Sequence, residues 1–309
     1  MTAADRADAR PLVDADVAAL LAEEAAGGLP LLSTLDPRSA RAQDALVQAR
    51  RSAGHPLPAV ASADDAVLAG VLVRVVTPLG EGPFPIVVHL HGGGWVVGSP
   101  ATYDLPVRRL AAETRAVVVD VDYRLAPEHP YPAALDDAWA VLQEVAGWGR
   151  PVAVAGDSGG GALAAALTLL ARPADLPLAA QLLTYPFVSL VQAWPSWREC
   201  AVGGGLDPAD SRWFADCWAP PPLDRADPFL STHVSDHARR VAARRGRRRR
   251  PGPAARRRPG LRGAAVRRGR AGLRDRGCRP GARVPADARP GRRQCRGGLG
   301  ARCPSASPA

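Results

Sequence analysis

Residues 151–171 read PVAVAGDSGGGALAAALTLLA, and the order of characters in that stretch decides the fold. A short, continuously apolar run (151–155) leads into Gly156-Asp157-Ser158-Gly159-Gly160, and an Ala/Leu-rich run (159–171) leaves it. Unbroken apolarity over a few residues marks a strand buried on both faces, and the Ala/Leu run is a helix by propensity. A serine at G-x-S-x-G spacing between such elements sits on a sharp strand-to-helix turn, its hydroxyl lifted clear of the sheet. The helix N-terminus beneath it supplies unpaired N–H groups and a partial positive charge that favour an anionic intermediate. A plain helix-capping turn is the competing reading of those five residues alone. The strand before and the helix after favour the catalytic one.

Working outward, the same alternation repeats. Residues 84–90, 116–121 and 179–184 are further short apolar runs, and 67–76 has strand character up to Pro78. Residues 103–114 read as helical. In 132–145, Ala134, Leu135, Ala138, Val141, Leu142 and Val145 recur at i, i+3, i+4 and define one buried helical face. The neighbouring acids Asp136 and Asp137 are expected to face solvent or cap that helix. Two more helices are read over 16–26 and 39–51. Strands alternating with helices of this length imply crossover connections and a mostly parallel sheet flanked by helices, an α/β domain.

A second motif, His91-Gly92-Gly93-Gly94-Trp95, follows directly from the strand PIVVHL. Consecutive glycines let backbone N–H groups turn toward one point with no Cβ in the way, as the second half of an oxyanion hole requires. HGGGW, then VDYRLAPEHPYPAALDDAWAVL (121–142), then GDSGGG resembles the hormone-sensitive-lipase branch of the α/β-hydrolases, over roughly residues 12–236. The resemblance implies an eight-stranded, mostly parallel sheet and hydrolysis of short- to medium-chain carboxylic esters without a cofactor. It implies a cap over the acyl pocket, built from residues 1–60 and a segment between Trp194 and Trp218. Carried over by position, Ser158 is the nucleophile, and Gly92, Gly93 and Gly159 offer the oxyanion N–H groups. Gly159 departs from the usual Ala, which leaves a looser turn. His91 is expected to orient the loop, and His129 to be structural. Trp194, Trp197, Trp213 and Trp218 either line an acyl pocket or simply pack the cap.

The last quarter of the chain does not fit. Residues 1–238 carry 16 Arg against 28 Asp and Glu, a net −12, whereas 239–309 carry 24 Arg against Asp275 and Asp287, a net +22. The overall +10 is therefore the sum of two unlike segments. The second segment has no Trp, Tyr, Phe, Ile or His, so it cannot build a core by itself. The expected organisation is a cap (1–60), an incomplete hydrolase core (61–238) and an irregular Arg/Gly/Pro-rich tail (239–309). A serine hydrolase needs a base oriented by a carboxylate, and the family places both after the elbow. Here the last histidine is His237, and no D-P-x-x-D follows it.

Two explanations compete. One is a basic, disordered tail on a non-catalytic protein, binding nucleic acid through its arginines; the absence of stacking aromatics weighs against it. The other is a shift of reading frame near residue 237. The chain has no Lys, no Asn and a single Ile, the mark of a GC-rich gene, and such genes read out of frame yield Arg, Gly, Pro and Ala. Back-translating 262–271 and moving one base permits an acidic helix; the same shift over 283–290 permits a histidine after an apolar run. The frame shift is the favoured reading, and it leaves the chain as written without the triad Asp and His. The five cysteines show no zinc or paired spacing, so neither a metal nor a disulfide framework is expected. No leader or spanning stretch is read, so a cytoplasmic protein acting on a small-molecule ester, with no membrane or nucleic-acid partner, is expected.

Overall fold

The computed structural model describes residues 14–191, 197 and 206–234. Its elements, in order, are α1 (Ala15–Ala26), α2 (Pro37–Ser52), β1 (Ser62–Leu68), β2 (Val71–Thr77), β3 (Ile86–Leu90), α3 (Asp104–Thr114), β4 (Val117–Val121), α4 (Ala133–Ala146), β5 (Val152–Asp157), α5 (Ser158–Ala171), β6 (Ala180–Thr184) and α6 (Pro208–Trp218). Short 3-10 turns lie at Leu32–Thr34 and Thr232–Val234. Among the described residues the sheet has six strands in the order β1-β2-β4-β3-β5-β6. Strands β4, β3, β5 and β6 are parallel, and β1 and β2 join antiparallel at one edge. The seventh and eighth strands implied by the family resemblance have no counterpart among the described residues. The 239–309 tail and the boundary before it lie outside them.

Every residue of β3 and of β4 is buried, the apolar ones as a strand covered on both faces requires and the polar His89 and Asp120 against each other. On one face Ile86, Val88, Leu90, Val119 and Val154 pack against Leu135, Val141 and Leu142 of α4 and Leu163 and Leu167 of α5. Each such side chain contributes roughly 1.5–3 kcal/mol by leaving water. On the other face Val87, Val118 and Ala155 meet Val107 and Ala111 of α3. The motif glycines at the C-terminal ends of β3 and β5 thus rest on a sheet packed from both sides.

Two expectations are corrected. The single strand read over 67–76 is a hairpin: β1 pairs with β2 in a register that sets Leu68 opposite Val71. The chain reverses at Ala69 (φ 49°) and Gly70 (φ 81°), two left-handed residues in succession, the geometry of a tight hairpin turn. Asp137 faces neither solvent nor the helix end. It is buried, and its carboxylate accepts from the Arg124 backbone N–H (2.9 Å) and from Nε and Nη2 of the Arg124 guanidinium. Asp136 is exposed, as expected.

The N-terminal helices add only Ala40 to this core. Helix α1 buries nothing and α2 only Ala40. Instead, Arg41 of α2 reaches the carbonyls of Val96 (2.8 Å) and Ala126 (2.9 Å) and pairs with both carboxylate oxygens of Glu128. The Arg41 bond holds the Glu128 carboxyl down at about 2. Asp210 of α6 accepts from the backbone N–H groups of Ser33 (2.8 Å) and Leu32 (3.3 Å). The two segments assigned to the cap are therefore bonded to each other.

Candidate active site

Strand β5 ends at Asp157, and α5 begins at Ser158, whose φ of 50° is left-handed. An L-residue holds that conformation at a cost of roughly 1–2 kcal/mol, so its surroundings must enforce it. The enforcement is steric. A Cβ on Gly160 would lie 2.0 Å from the Leu90 carbonyl oxygen and 2.3 Å from that of His91; one on Gly156 would lie 2.4 Å from the Gly160 oxygen. Helix α5 thus starts pressed against the end of β3, and the turn between β5 and α5 must be sharp. The Ser158 carbonyl accepts the Phe187 N–H at 2.9 Å, fixing the far side.

The 92–94 loop is packed on every side, so its glycines are not there for flexibility. A Cβ on Gly92 would meet the Asp157 carboxylate at 2.2 Å, and one on Gly93 (φ 112°) the Val97 carbonyl at 2.2 Å. Gly93's own carbonyl accepts from Val96 (3.1 Å) and Val97 (3.0 Å). On its other side the loop touches the elbow: the Cβ position of Gly159 is 3.3 Å from both Cα and N of Gly94. The structure therefore brings together Ser158, Gly159, Gly92 and Gly93, the four residues singled out from the sequence. A Cβ at Gly159 would also lie 3.3 Å from the Trp95 ring, so a methyl there needs a yield of only a few tenths of an ångström.

His91 is fully buried, its Nδ1 2.8 Å from the Gly92 carbonyl oxygen and its ring stacked on Tyr123 at 4.3 Å. Because a carbonyl only accepts, Nδ1 carries the proton and donates. Burial pushes the Tyr123 phenol well above its ordinary value, so it stays a donor, to the His91 carbonyl at 2.8 Å. This arrangement holds the loop, as expected of His91. His129 is exposed in its turn, its N–H bonded to Leu125.

Other residues of the site were not singled out from the sequence. Asp157 Oδ2 accepts from Tyr103 (3.0 Å) and Tyr185 (3.4 Å). Burial, then the Asp157 charge, pushes the Tyr103 phenol far above its ordinary value. His89 and Asp120, register partners on β3 and β4, bond at 2.7 Å and are both buried. Burial pulls the His89 imidazole down, but the charge and hydrogen bond of Asp120 outweigh it, and the net shift is upward. The aromatics divide as well. Trp218 stacks on Trp95 at 5.1 Å, Trp197 meets Phe187 edge-on at 5.7 Å, and Trp213 lies against Phe214. Trp194 lies outside the described residues.

Among the described residues no side chain bonds the Ser158 hydroxyl. His55 is exposed, and His233 directs both its N–H and its Nδ1 at the Val188 carbonyl. His237 lies outside the described residues. No group of three His, Cys, Asp or Glu side chains among the described residues is set to hold a metal, and no helix there is long and apolar enough to cross a membrane.

A strand ending in a left-handed serine, with a glycine loop from the neighbouring strand against it, agrees with what sequence comparison finds. Residues 87–243 match the alpha/beta hydrolase fold family, half of the chain. The chain belongs to that family. Among its relatives, the esterase LipI of Mycobacterium tuberculosis is 48% identical over 143 residues, 42% of this chain and 45% of LipI. The carboxylesterase NlhH of the same species is 43% identical over 169 residues, 52% of this chain and 53% of NlhH. The chain spans about half the length of these curated relatives. Solved α/β-hydrolases overlay more of it. An ester hydrolase from the metagenome of Lake Arreo, complexed with a bipyridine phosphonate derivative, has a TM-score of 0.66 at 34% identity, covering 72% of this chain and 74% of that one. The hyperthermophilic esterase of the archaeon Pyrobaculum calidifontis gives 0.65 at 32%, covering 72% and 76%.

Proposed function

We propose that the chain derives from a serine carboxylesterase acting on short- to medium-chain carboxylic esters, and that as written it is nearly inactive. Ser158 is the nucleophile: its Oγ attacks the ester carbonyl carbon, the alcohol departs, and water releases the acid from the acyl-serine. Gly92, Gly93 and Gly159 donate backbone N–H groups to the oxyanion, each such donor being worth roughly 3–4 kcal/mol of barrier. The two N-terminal helices, with α6, form the cap over the acyl pocket. The substrate is a small molecule; neither a cofactor, a membrane nor a nucleic acid takes part. The setting is cytoplasmic, consistent with five cysteines at unpaired spacings. The observation that carries this reading is the contact between the left-handed Ser158 elbow and the 92–94 loop.

Inactivity follows from what the sequence after residue 237 lacks. Without a positioned base the serine hydroxyl is a weak nucleophile at neutral pH, and losing a triad member removes on the order of 10⁴–10⁶ in turnover. The test is turnover of short p-nitrophenyl esters by the chain as written and by a version with the reading frame restored near codon 237. Only the restored version should turn over, and Ser158→Ala should silence it. Folded protein of the present sequence with turnover abolished by Ser158→Ala would overturn the inactivity and assign the base to another residue.

A further inference from the structure

Helix α6 carries Phe214 and Trp218 four residues apart, hence on one face. The Phe214 ring occupies the space a side chain at Gly94 would need: a Cβ there would lie 2.2 Å from the ring's Cγ. Trp218 stacks on Trp95, the next residue, at 5.1 Å and 12° between planes, and both indoles are 2% exposed. Gly94 (φ 57°) and Trp95 (φ 63°) are consecutive left-handed residues. A tryptophan keeps that conformation only where its neighbours over-determine it. Here the neighbours are the α6 rings on one side and the first turn of α5 on the other, where Gly159 meets Gly94. Helix α6 is anchored in turn through Asp210 to the backbone of Leu32 and Ser33.

We infer that Phe214 and Trp218 are positioning residues that clamp the 92–94 loop onto the Ser158 elbow, so that the cap helps build the oxyanion hole rather than merely roofing the substrate. This rests on the esterase reading of Ser158. The loop's N–H groups lower a barrier only if they are already fixed where the charge develops. A ring resting on Gly94 fixes them without touching substrate.

Two readouts on the full chain test the clamp. The first is hydrogen exchange at the Val96 and Val97 amides, which are bonded to the Gly93 carbonyl. The second, in the version with the reading frame restored near codon 237, is covalent labelling of Ser158 by a p-nitrophenyl phosphonate, followed as p-nitrophenolate release at saturating and limiting probe. Phe214→Ala should speed exchange at both amides about tenfold and slow saturated labelling about tenfold, with the half-saturating probe concentration within about twofold. Peptides from β5 and α5 should exchange as in the parent, and Phe214→Leu should restore most of both effects. Unchanged loop exchange in folded Phe214→Ala overturns the clamp, as does a change confined to half-saturation. Should Phe214→Ala fail to fold, Asp210→Asn loosens α6 with both rings kept: faster loop exchange sustains the clamp, and unchanged exchange overturns it. If the frame-restored version takes no label while its loop still answers to Phe214→Ala, the nucleophile reading fails and the clamp stands.

Discussion

Alanine at Gly160 and alanine at Gly159 differ by one position in α5, and the structure sets them far apart in energy. At both, a helical Gly→Ala change gains up to about 1 kcal/mol of helix propensity. At Gly160 the new methyl would lie 2.0 Å from the Leu90 oxygen and 2.3 Å from the His91 oxygen. Both obstacles are backbone at the end of β3, so no side-chain rotation relieves them. Either α5 or β3 must shift by more than about 1 Å to reach ordinary contact. Overpacking typically costs about 1–3 kcal/mol, and with rigid backbone on the other side we place Gly160→Ala at the upper end, a net loss of about 2 kcal/mol or more. At Gly159 the contacts are 3.3 Å, to Gly94 Cα and N and to the Trp95 ring, so a yield of a few tenths of an ångström suffices. Gly159→Ala should fall between neutral and about 1 kcal/mol stabilising. The assay is urea unfolding followed by far-UV circular dichroism. With a slope of about 2–3 kcal/mol per molar, the two variants should differ in midpoint by roughly 1 M. Equal midpoints, or a Gly160→Ala at or above the parent, would refute the packing of α5 against β3 from which this is worked.

Further outcomes concern buried polar groups. Asp137→Ala leaves the Arg124 backbone N–H without its acceptor and should cost about 1–3 kcal/mol; the guanidinium, its side chain 49% exposed, returns to water. The adjacent exposed change, Asp136→Ala, should stay within about 0.5 kcal/mol, and urea midpoints that do not separate the two would contradict the burial assigned to Asp137. The His89–Asp120 pair predicts a pH effect. The folded imidazole titrates above its ordinary 6.5, so its stabilisation is complete below that pH and is lost as pH rises through the higher folded value. The parent should weaken as pH rises above about 6.5, while His89→Gln should be less stable throughout and flatter over that rise. An identical pH slope in both proteins would remove His89 as the cause.

The parallel core was legible because its strands advertise themselves. PIVVHL and AVVVDV are apolar but for His89 and Asp120, and a strand covered on both faces reads that way. The hairpin was not, and the reason is physical. Val67 is 61% and Leu72 56% exposed, so apolar residues on the open face of β1 and β2 blurred two arms into one run. The Ala69-Gly70 reversal lay hidden between them. Asp137 was misplaced for a similar reason. It stands three residues after Ala134 and four before Val141, on the buried face by spacing, but its charge argued for solvent until Arg124 supplied a partner from outside the helix. At the site, the meeting of Ser158 with the glycine loop was legible because both lie in contiguous motifs at the ends of neighbouring strands. Tyr103, Phe214 and Trp218 act through space, on segments joined only by the folded chain, and nothing in their local sequence points to the residues they touch.

The bonds that seat the N-terminal helices carry a consequence for how the chain is made. Arg41 awaits Val96, Ala126 and Glu128, which follow it by 55, 85 and 87 residues; Leu32 awaits Asp210, which follows by 178. A ribosome adds about 5–20 residues each second, so the first helices emerge roughly 10–35 s before their last anchor exists. With only Ala40 to bury, they have almost nothing to hold them in that interval. The turn at Leu32 and Ser33 is then seated only after every strand from β1 to β6 has been made, and the nascent chain must carry that anchor open in the interval.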